Sequence, residues 1–329
     1  MDKLRVGVIG VGHLGFHHAR IYGEMPDVDL VGVVDINRER AEEVGRELNA
    51  PWFTGADRIT DRVDAMSVAV PTTSHHDVAL GFLSKGIHTL VEKPLTSTVE
   101  EGRELVRTAA STGAVLQVGH VERYNPAVQA VLPRIGDPRF IECHRLAPFV
   151  PRGVDVDVVL DLMIHDIHLA LSFVRSPVKS ICAVGVPVLT RTEDIANARL
   201  EFENGCVANL TASRVSKDKL RKVRLFQSDC YVSIDCLRRR AEVYFKLDKP
   251  GGPSAPDFLQ AEGAAPGGID PMGLIARQEV AVRQEEPLHA ELRDFVEAVR
   301  ESRSPQVDGK QGLEALETAL EVVRKVRER

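Results

Sequence analysis

Along the first 120 residues, short apolar runs alternate with stretches of helical spacing. Residues 4–9 (LRVGVI) form an unbroken apolar run of the length of a buried parallel strand. Runs of the same kind recur at 28–34, 63–70, 88–91 and 115–118, and the third stops at Pro71. Helical spacing fills the gaps. It runs through Phe16, Ala19 and Ile21, over a polar segment at about 38–48, over 74–85 and over 97–112. Ser74, with Asp77 three residues on, is the expected cap of the third of these helices. Strand–helix alternation of this kind predicts a doubly wound parallel sheet.

After about residue 123 the rhythm changes. Residues 155–174 read as helix, and strand-like runs fall at 140–146, 180–189, 196–202, 206–212, 223–227, 231–235 and 241–247. The triplet Glu203-Asn204-Gly205 is a strong hairpin signal. Successive strands without intervening helices predict a large, open, mostly antiparallel sheet with helices on one face. Residues 249–271, rich in Pro, Gly and Ala, read as a loop, and amphipathic helices are expected at about 288–302 and 311–327. The fold class is α/β, with a domain boundary expected between 1–122 and 123–329.

Composition narrows the class. The 329 residues are 43% hydrophobic and 27% charged, ordinary for a water-soluble protein of two domains. A net charge of −6 argues against nucleic acid or an anionic membrane as partner. The opening MDKLRVGVIGVG does not read as a signal peptide, and no run approaches a membrane span. Five scattered cysteines without a Cys-x-x-Cys pair predict reduced thiols and a cytoplasmic location.

The first candidate site is the turn after residues 4–9. Gly10, Gly12 and Gly15 stand as GVGHLG between an apolar strand and a helix, and Asp35 ends the next strand 20 residues beyond Gly15. Glycines here allow a tight turn and close approach of a pyrophosphate to a helix N-terminus, and the acid suits ribose hydroxyls. Asp35 would repel a 2′-phosphate, so NAD is the expected cofactor, although Arg38 could reach such a phosphate.

The second candidate site is chemical. Asp161 and His165, in LDLMIHDIH, are four apart, which places them on one helix face. A carboxylate bonded to one imidazole nitrogen leaves the other free to take a proton. Lys93, just after the strand ending in Val91, can supply a positive charge. His165, Asp166 and His168 also look like a ligand cluster, but neighbours on a helix diverge by about 100°, so no metal is expected. His17 and His18 are expected to be surface or packing residues.

Five segments in order carry a family resemblance: VGVIGVGHLG (6–15), AVPTTSH (69–75), VEKP (91–94), VGH (118–120) and LDLMIHD (160–166). Together they resemble the Gfo/Idh/MocA oxidoreductases over nearly the whole chain. The resemblance implies a Rossmann domain followed by an α/β domain, with catalysis in the cleft between them. It implies Lys93, Asp161 and His165 as catalytic and substrate-contacting residues. It also implies that Gly10, Gly12, His13, Leu14, Gly15, Asp35, Arg38, Pro71, Thr72, His75, Glu92, Lys93 and His120 line the cofactor. The implied reaction is hydride transfer from a carbinol carbon to nicotinamide, making the chain an NAD(P)-dependent dehydrogenase acting on CH–OH. His165, with an ordinary pKa of about 6.5, is the expected base, oriented by Asp161, while Lys93 stabilises charge on the oxygen. A desolvated lysine can also serve as base, so the two roles are exchangeable at this stage.

The substrate reading rests on further segments. The run 214–224 (RVSKDKLRKVR) carries six positive residues, and is either a lysine-protected strand edge or a cradle for a diphosphate. Residues 120–128, 154–169 and 213–229 resemble the subgroup that oxidises UDP-N-acetylglucosamine-type sugars at the third sugar carbon. That resemblance implies sugar contacts from Arg123, Tyr124 and Asn125, and a ketone product suited to amination. Alternatives are a myo-inositol or free-sugar dehydrogenase, and an inactive NAD-binding regulator. The expected partners are a sugar or sugar-nucleotide and further copies of the chain, as a homodimer or homotetramer.

Overall fold

The computed structural model describes residues 2–150, 156–246, 266–269 and 274–328. The chain divides into two compact units, Met1–Val121 with Pro287–Glu317, and Glu122–Glu286 with Thr318–Arg329.

In the first unit the elements run β1 (Leu4–Ile9), α1 (His13–Glu24), β2 (Val28–Val34), α2 (Arg38–Glu47), β3 (Trp52–Phe53), β4 (Ala65–Val68), α3 (His75–Leu83), β5 (His88–Glu92), α4 (Val99–Thr112) and β6 (Leu116–Gly119). All pairs are parallel, in the order β3-β2-β1-β4-β5-β6. The direction of winding reverses between β1 and β4, the place where such sheets bind ligands. Strand centres are apolar because both faces are covered: Val6, Val8, Val33, Ala65 and Leu90 are all buried. Helix α4 starts at a capping box of Thr98 and Glu101, and ends at Gly113 in the left-handed conformation. Ser74, the expected cap of α3, makes no capping bond. The chain enters α3 through a 3-10 turn, Thr72–Ser74, which leaves Ser74 helical rather than extended.

The second unit holds α5 (Pro126–Val131), β7 (Phe140–Leu146), a π-helical turn (Val159–Met163), α6 (Ile164–Val174) and the strands β8 (Val178–Val186), β9 (Ile195–Phe202), β10 (Val207–Ser213), β11 (Leu220–Phe226), β12 (Cys230–Asp235), β13 (Arg240–Lys246), β14 (Pro266–Ile269) and β15 (Ile275–Val280). They form a nine-stranded sheet in the order β14-β15-β13-β12-β11-β7-β10-β9-β8. Only β7 and β10 pair in parallel. Burial alternates along β7, β9 and β10, so one face is core and the other open. Gly205, at φ 84°, makes the β9–β10 hairpin that the triplet signalled.

Two expectations need amending. Of the segment 249–271, read as a loop, Pro266–Ile269 is strand, and the rest lies outside the described residues. Strand β15 was missed because its sequence IARQEV has no apolar alternation. The closing helices α7 (Pro287–Glu301) and α8 (Gly309–Arg327) do not both belong to the second unit. Leu292, Phe295 and Val296 of α7 join the core of Val6, Val8, Ala19, Ile21 and Leu90. An amphipathic pattern shows that a helix has a face to bury, not which sheet will bury it.

Candidate active site

The glycine turn is built by close backbone contacts. Gly10 has φ 81°, and a Cβ there would lie 2.7 Å from the carbonyl of Ala69. A Cβ on Gly15 would land on the Gly10 carbonyl oxygen. At Gly12 nothing lies within 4 Å, so open space faces the N-terminus of α1. Unpaired N–H groups and the helix dipole suit that space to a pyrophosphate. His13 and half-exposed Leu14 begin the helix beside it, and the His13 and His17 rings pack edge-on at 5.1 Å. Asp35 is held firmly: Oδ2 accepts from Val11 N–H at 3.0 Å and Oδ1 from Asn37 N–H at 2.9 Å. A carboxylate has about four acceptor positions, so capacity for ribose hydroxyls is left. Arg38 lies over Trp52 at 5.7 Å. Arg40, which the sequence reading did not single out, donates from Nε to Val11 O at 2.8 Å and so ties α2 to the glycine turn.

The ends of β4, β5 and β6 carry the next group. Lys93 is half-buried, and its N–H donates to Glu92 Oε2 at 3.1 Å. Glu92 Oε1 faces His18 Nε2 at 3.1 Å, and His18 Nδ1 meets Ser67 Oγ at 2.7 Å. Burial alone would raise the Glu92 pKa, but the bond from His18 and the charges of His18 and Lys93 outweigh it and leave it below the ordinary value. Pro71 is exposed and Thr72 half-buried at the start of the turn leading into α3. His120 is buried at the end of β6, its N–H bonded to Val118 O. His75 is buried, with Nδ1 2.9 Å from Pro94 O and Nε2 2.9 Å from Val70 O, so the ring lies between the loops that follow β4 and β5. A carbonyl only accepts, so in the neutral ring one of the two nitrogens donates and the other is only close.

In the second unit Asp161 lies in the π-helical turn and His165 in the first turn of α6. Both are half-buried, while Met163, Ile164, Asp166, Ile167 and His168 between and after them are buried. A regular α-helix was expected here. The wider π turn is a feature concentrated at functional sites. Asp166 binds Arg145 through both carboxylate oxygens, and His168 is buried. Among the described residues no group of three or more His, Cys, Asp or Glu is placed to hold a metal ion. Burial and the nearby Arg123 push His168 down to about 3, so it is a neutral core residue.

Arg145, Asp166 and Glu122 form a buried ion network that the sequence did not reveal. Glu122 also accepts from Arg221 at 2.9 Å. Burial opposes its charge, and the two arginines overcome that and lower its pKa. Asn125, expected at the sugar, is 3% exposed. Its Oδ1 caps α5 by accepting from Ala127 N–H, and its Nδ2 donates to Cys236 O at 2.9 Å. Its side-chain oxygen and nitrogen thus both have partners inside the fold. Tyr124 is buried and Arg123 half-buried beside it.

The arginines of the basic run are paired as well. Arg214 is buried and bonds Asp194, Thr190, Thr192 and the carbonyl of Val156. Arg224 binds Glu142 at 2.9 Å. Lys217 and Lys219, at the β10–β11 turn, are exposed.

Two family models match the chain: an oxidoreductase family with an NAD-binding Rossmann fold over residues 4–120, and a GFO/IDH/MocA C-terminal domain over residues 133–236. UDP-N-acetylglucosamine 3-dehydrogenase of Acidithiobacillus ferrooxidans is 39% identical over 98% of this chain and 97% of its own. The chain belongs to the Gfo/Idh/MocA oxidoreductase family. Another relative, the NAD(+)-dependent scyllo-inositol 2-dehydrogenase of Bacillus subtilis, is 28% identical over 65% of this chain and 68% of its own. Among solved structures, the A. ferrooxidans 3-dehydrogenase aligns with a TM-score of 0.88 at 37% identity, covering 99% of this chain and 98% of that one. Levoglucosan dehydrogenase, solved with NADH and levoglucosan, aligns at 0.85 with 18% identity over 99% and 98%, a likeness of fold. As a Gfo/Idh/MocA member the chain is an NAD-dependent dehydrogenase of CH–OH groups, and the open cradle at Gly12 fits the dinucleotide. No helix among the described residues is long and apolar enough to cross a membrane.

Proposed function

We propose that this protein oxidises the hydroxyl at the third sugar carbon of a UDP-N-acetylglucosamine-type sugar nucleotide to a ketone, using NAD. The observation that carries the reading is the reach of the similarity. The match to the A. ferrooxidans 3-dehydrogenase covers 98% of this chain, whereas the match to the inositol dehydrogenase of Rubrobacter xylanophilus covers 56%. Substrate choice in a two-domain dehydrogenase depends on the domain after the nucleotide fold, and it is there that full-length similarity counts.

Bound NAD supplies the hydride acceptor. The chain's own residues handle the proton. His165 takes it from the sugar hydroxyl as general base. Asp161, on the same face, orients the ring. Lys93 donates a hydrogen bond to the hydroxyl oxygen and opposes the negative charge that develops there. Gly10, Gly12 and Gly15 admit the pyrophosphate and Asp35 the ribose, while Arg123 and Tyr124 help to place the sugar. The product ketone is suited to reductive amination by a following enzyme, and the protein works as a homodimer or homotetramer.

The test is turnover. The protein is incubated with NAD and, separately, UDP-N-acetylglucosamine, free N-acetylglucosamine and myo-inositol, and the absorbance of reduced nicotinamide is followed. Reduction with UDP-N-acetylglucosamine supports the reading. Reduction with myo-inositol alone replaces it with the polyol dehydrogenase.

A further inference from the structure

In the basic run, Arg214 is bound to Asp194 and Arg224 to Glu142, so the charge of a diphosphate needs other partners. A different group of arginines stands together in the second unit. Arg238, Arg239 and Arg240 make the turn from β12 into β13, and all are exposed. With Glu279, Val282 and Gln284, from the end of β15 and the segment after it, they line a cleft of about 380 Å³. That volume lies in the range of small-ligand sites, about 300–1,000 Å³. Three guanidinium groups stand there against one carboxylate, that of Glu279, so the cleft is cationic.

The turn is held in place. Asp235 Oδ1 accepts the Arg238 N–H at 2.9 Å, Arg221 O accepts the Cys236 N–H at 2.9 Å, and Cys236 O accepts from Asn125 Nδ2 at 2.9 Å. Arg239 has φ 54°, the left-handed region that a bulky residue rarely adopts. Conformations of this kind are enriched at ligand clamps, where the surrounding structure offsets their cost. Two weak side-chain bonds tie the arginines back: Arg238 Nη1 to Asp235 Oδ2 at 3.4 Å and Arg239 Nη1 to Glu285 O at 3.3 Å. A guanidinium carries more N–H donors than these bonds use, so donors are left for a ligand.

The bond from Asn125 sets this turn beside Arg123 and Tyr124, the neighbours of Asn125 that are proposed to place the sugar. The sheet register points to the same place. Arg221 pairs with Arg145, and Arg145 holds Asp166 next to His165. The arginine turn therefore leaves the sheet at the end where α6 begins, two strands from β7, or about 10 Å.

We propose that this cleft takes the diphosphate of the sugar nucleotide, with Arg238, Arg239 and Arg240 supplying the countercharge. The proposal rests on the sugar-nucleotide reading and names the subsite that such a substrate requires. Arginine forks match phosphate oxygens two at a time. A polyol or free sugar has no group to place there.

The test uses calorimetric titration of the full-length protein saturated with NAD, which occupies the dinucleotide turn. UDP and inorganic pyrophosphate are titrated separately, and thermal melts confirm that each variant is folded. Arg238→Ala, Arg240→Ala and Arg239→Gly, the last suited to the left-handed backbone, should each weaken UDP binding about 10-fold or more, the worth of a hydrogen bond to a charged group. Glu279→Gln, which removes the carboxylate, should tighten it. Arg283→Ala, at an exposed arginine outside the cleft wall, should weaken it less than any of the three. Pyrophosphate should follow the same order, and a loss seen with UDP alone overturns the diphosphate assignment. UDP affinity retained in all three variants overturns the proposal, as does a loss confined to Lys217→Ala and Lys219→Ala at the β10–β11 turn. In turnover the arginine variants should raise KM for UDP-N-acetylglucosamine more than they lower kcat, because a phosphate contact away from the reacting carbon is lost equally in ground and transition states. Binding needs no turnover, so the two readings fail separately. UDP held by these arginines without oxidation of UDP-N-acetylglucosamine sinks that substrate, and its oxidation at unchanged KM in the variants sinks this subsite.

Discussion

Arg145 binds Asp166 through two hydrogen bonds, Nε to Oδ2 at 3.0 Å and Nη2 to Oδ1 at 2.7 Å, with both side chains about 4% exposed. Asp166 is the immediate neighbour of His165, and Arg145 sits on β7. The pair therefore fixes the start of α6 against the large sheet. Removing one partner strands a buried charge, so Asp166→Asn and Arg145→Met should each cost about 3–5 kcal/mol of stability. Urea unfolding followed by circular dichroism measures it. A loss below about 1 kcal/mol, the scale of an exposed pair, would show that the site relaxes around the missing charge.

The chemical roles separate from cofactor binding. His165→Asn and Lys93→Ala should lower kcat by about a hundredfold or more, the scale of a lost general base or charge stabiliser. NAD affinity, read by fluorescence titration, should stay within about twofold for His165→Asn, because the proposed role of that residue is to take the proton of the sugar hydroxyl and not to hold the dinucleotide. Full turnover in either variant would remove that residue from the mechanism.

The proposed reading gives cofactor choice to Asp35. Asp35→Ser should weaken NAD binding by about 10- to 100-fold, the worth of hydrogen bonds to a charged group. It should also narrow the preference over NADP, because the anion that repels a 2′-phosphate is gone. Titrations with both dinucleotides give the ratio, and an unchanged ratio would show that Asp35 does not read the ribose.

Asp157 gives the protein a pH-dependent stability. Burial and the neighbouring Glu193 carboxyl push its pKa from 3.8 up to about 7. Between about pH 4 and pH 7 the folded chain holds a proton that the unfolded chain has released, so stability falls as pH rises through that window and stays lower above it. Asp157→Asn keeps an oxygen for the Val159 N–H and removes the buried charge. It should flatten this slope and add about 1–2 kcal/mol at pH 8, since the lowered pKa of Glu193 offsets part of the full effect. Melting temperatures of both proteins at pH 5 and pH 8 measure it, and parallel curves would exclude a shared proton.

The parallel half was legible because its signals are local. An apolar run followed by Gly10, Gly12 and Gly15 requires a turn that few other residues allow, and β1 and β2 fall at 4–9 and 28–34 as the run lengths predict. The same holds for the Gly205 hairpin. Side-chain roles were legible only where chemistry, not partner, decides them. Nothing near His75 in sequence announces Val70 O and Pro94 O as its neighbours, and nothing near Asn125 announces Cys236, 111 residues away, as the acceptor of its amide. His18, on α1, likewise reads as a surface or packing residue until Ser67 and Glu92 are brought against it from two strands. The allocation of α7 and the burial of Arg145, Asp166 and Glu122 are of the same kind. Periodicity and turn chemistry act over a few residues and can be read along the chain. The partner of a buried polar group is set by which distant segments the core brings together, and that only the tertiary structure decides.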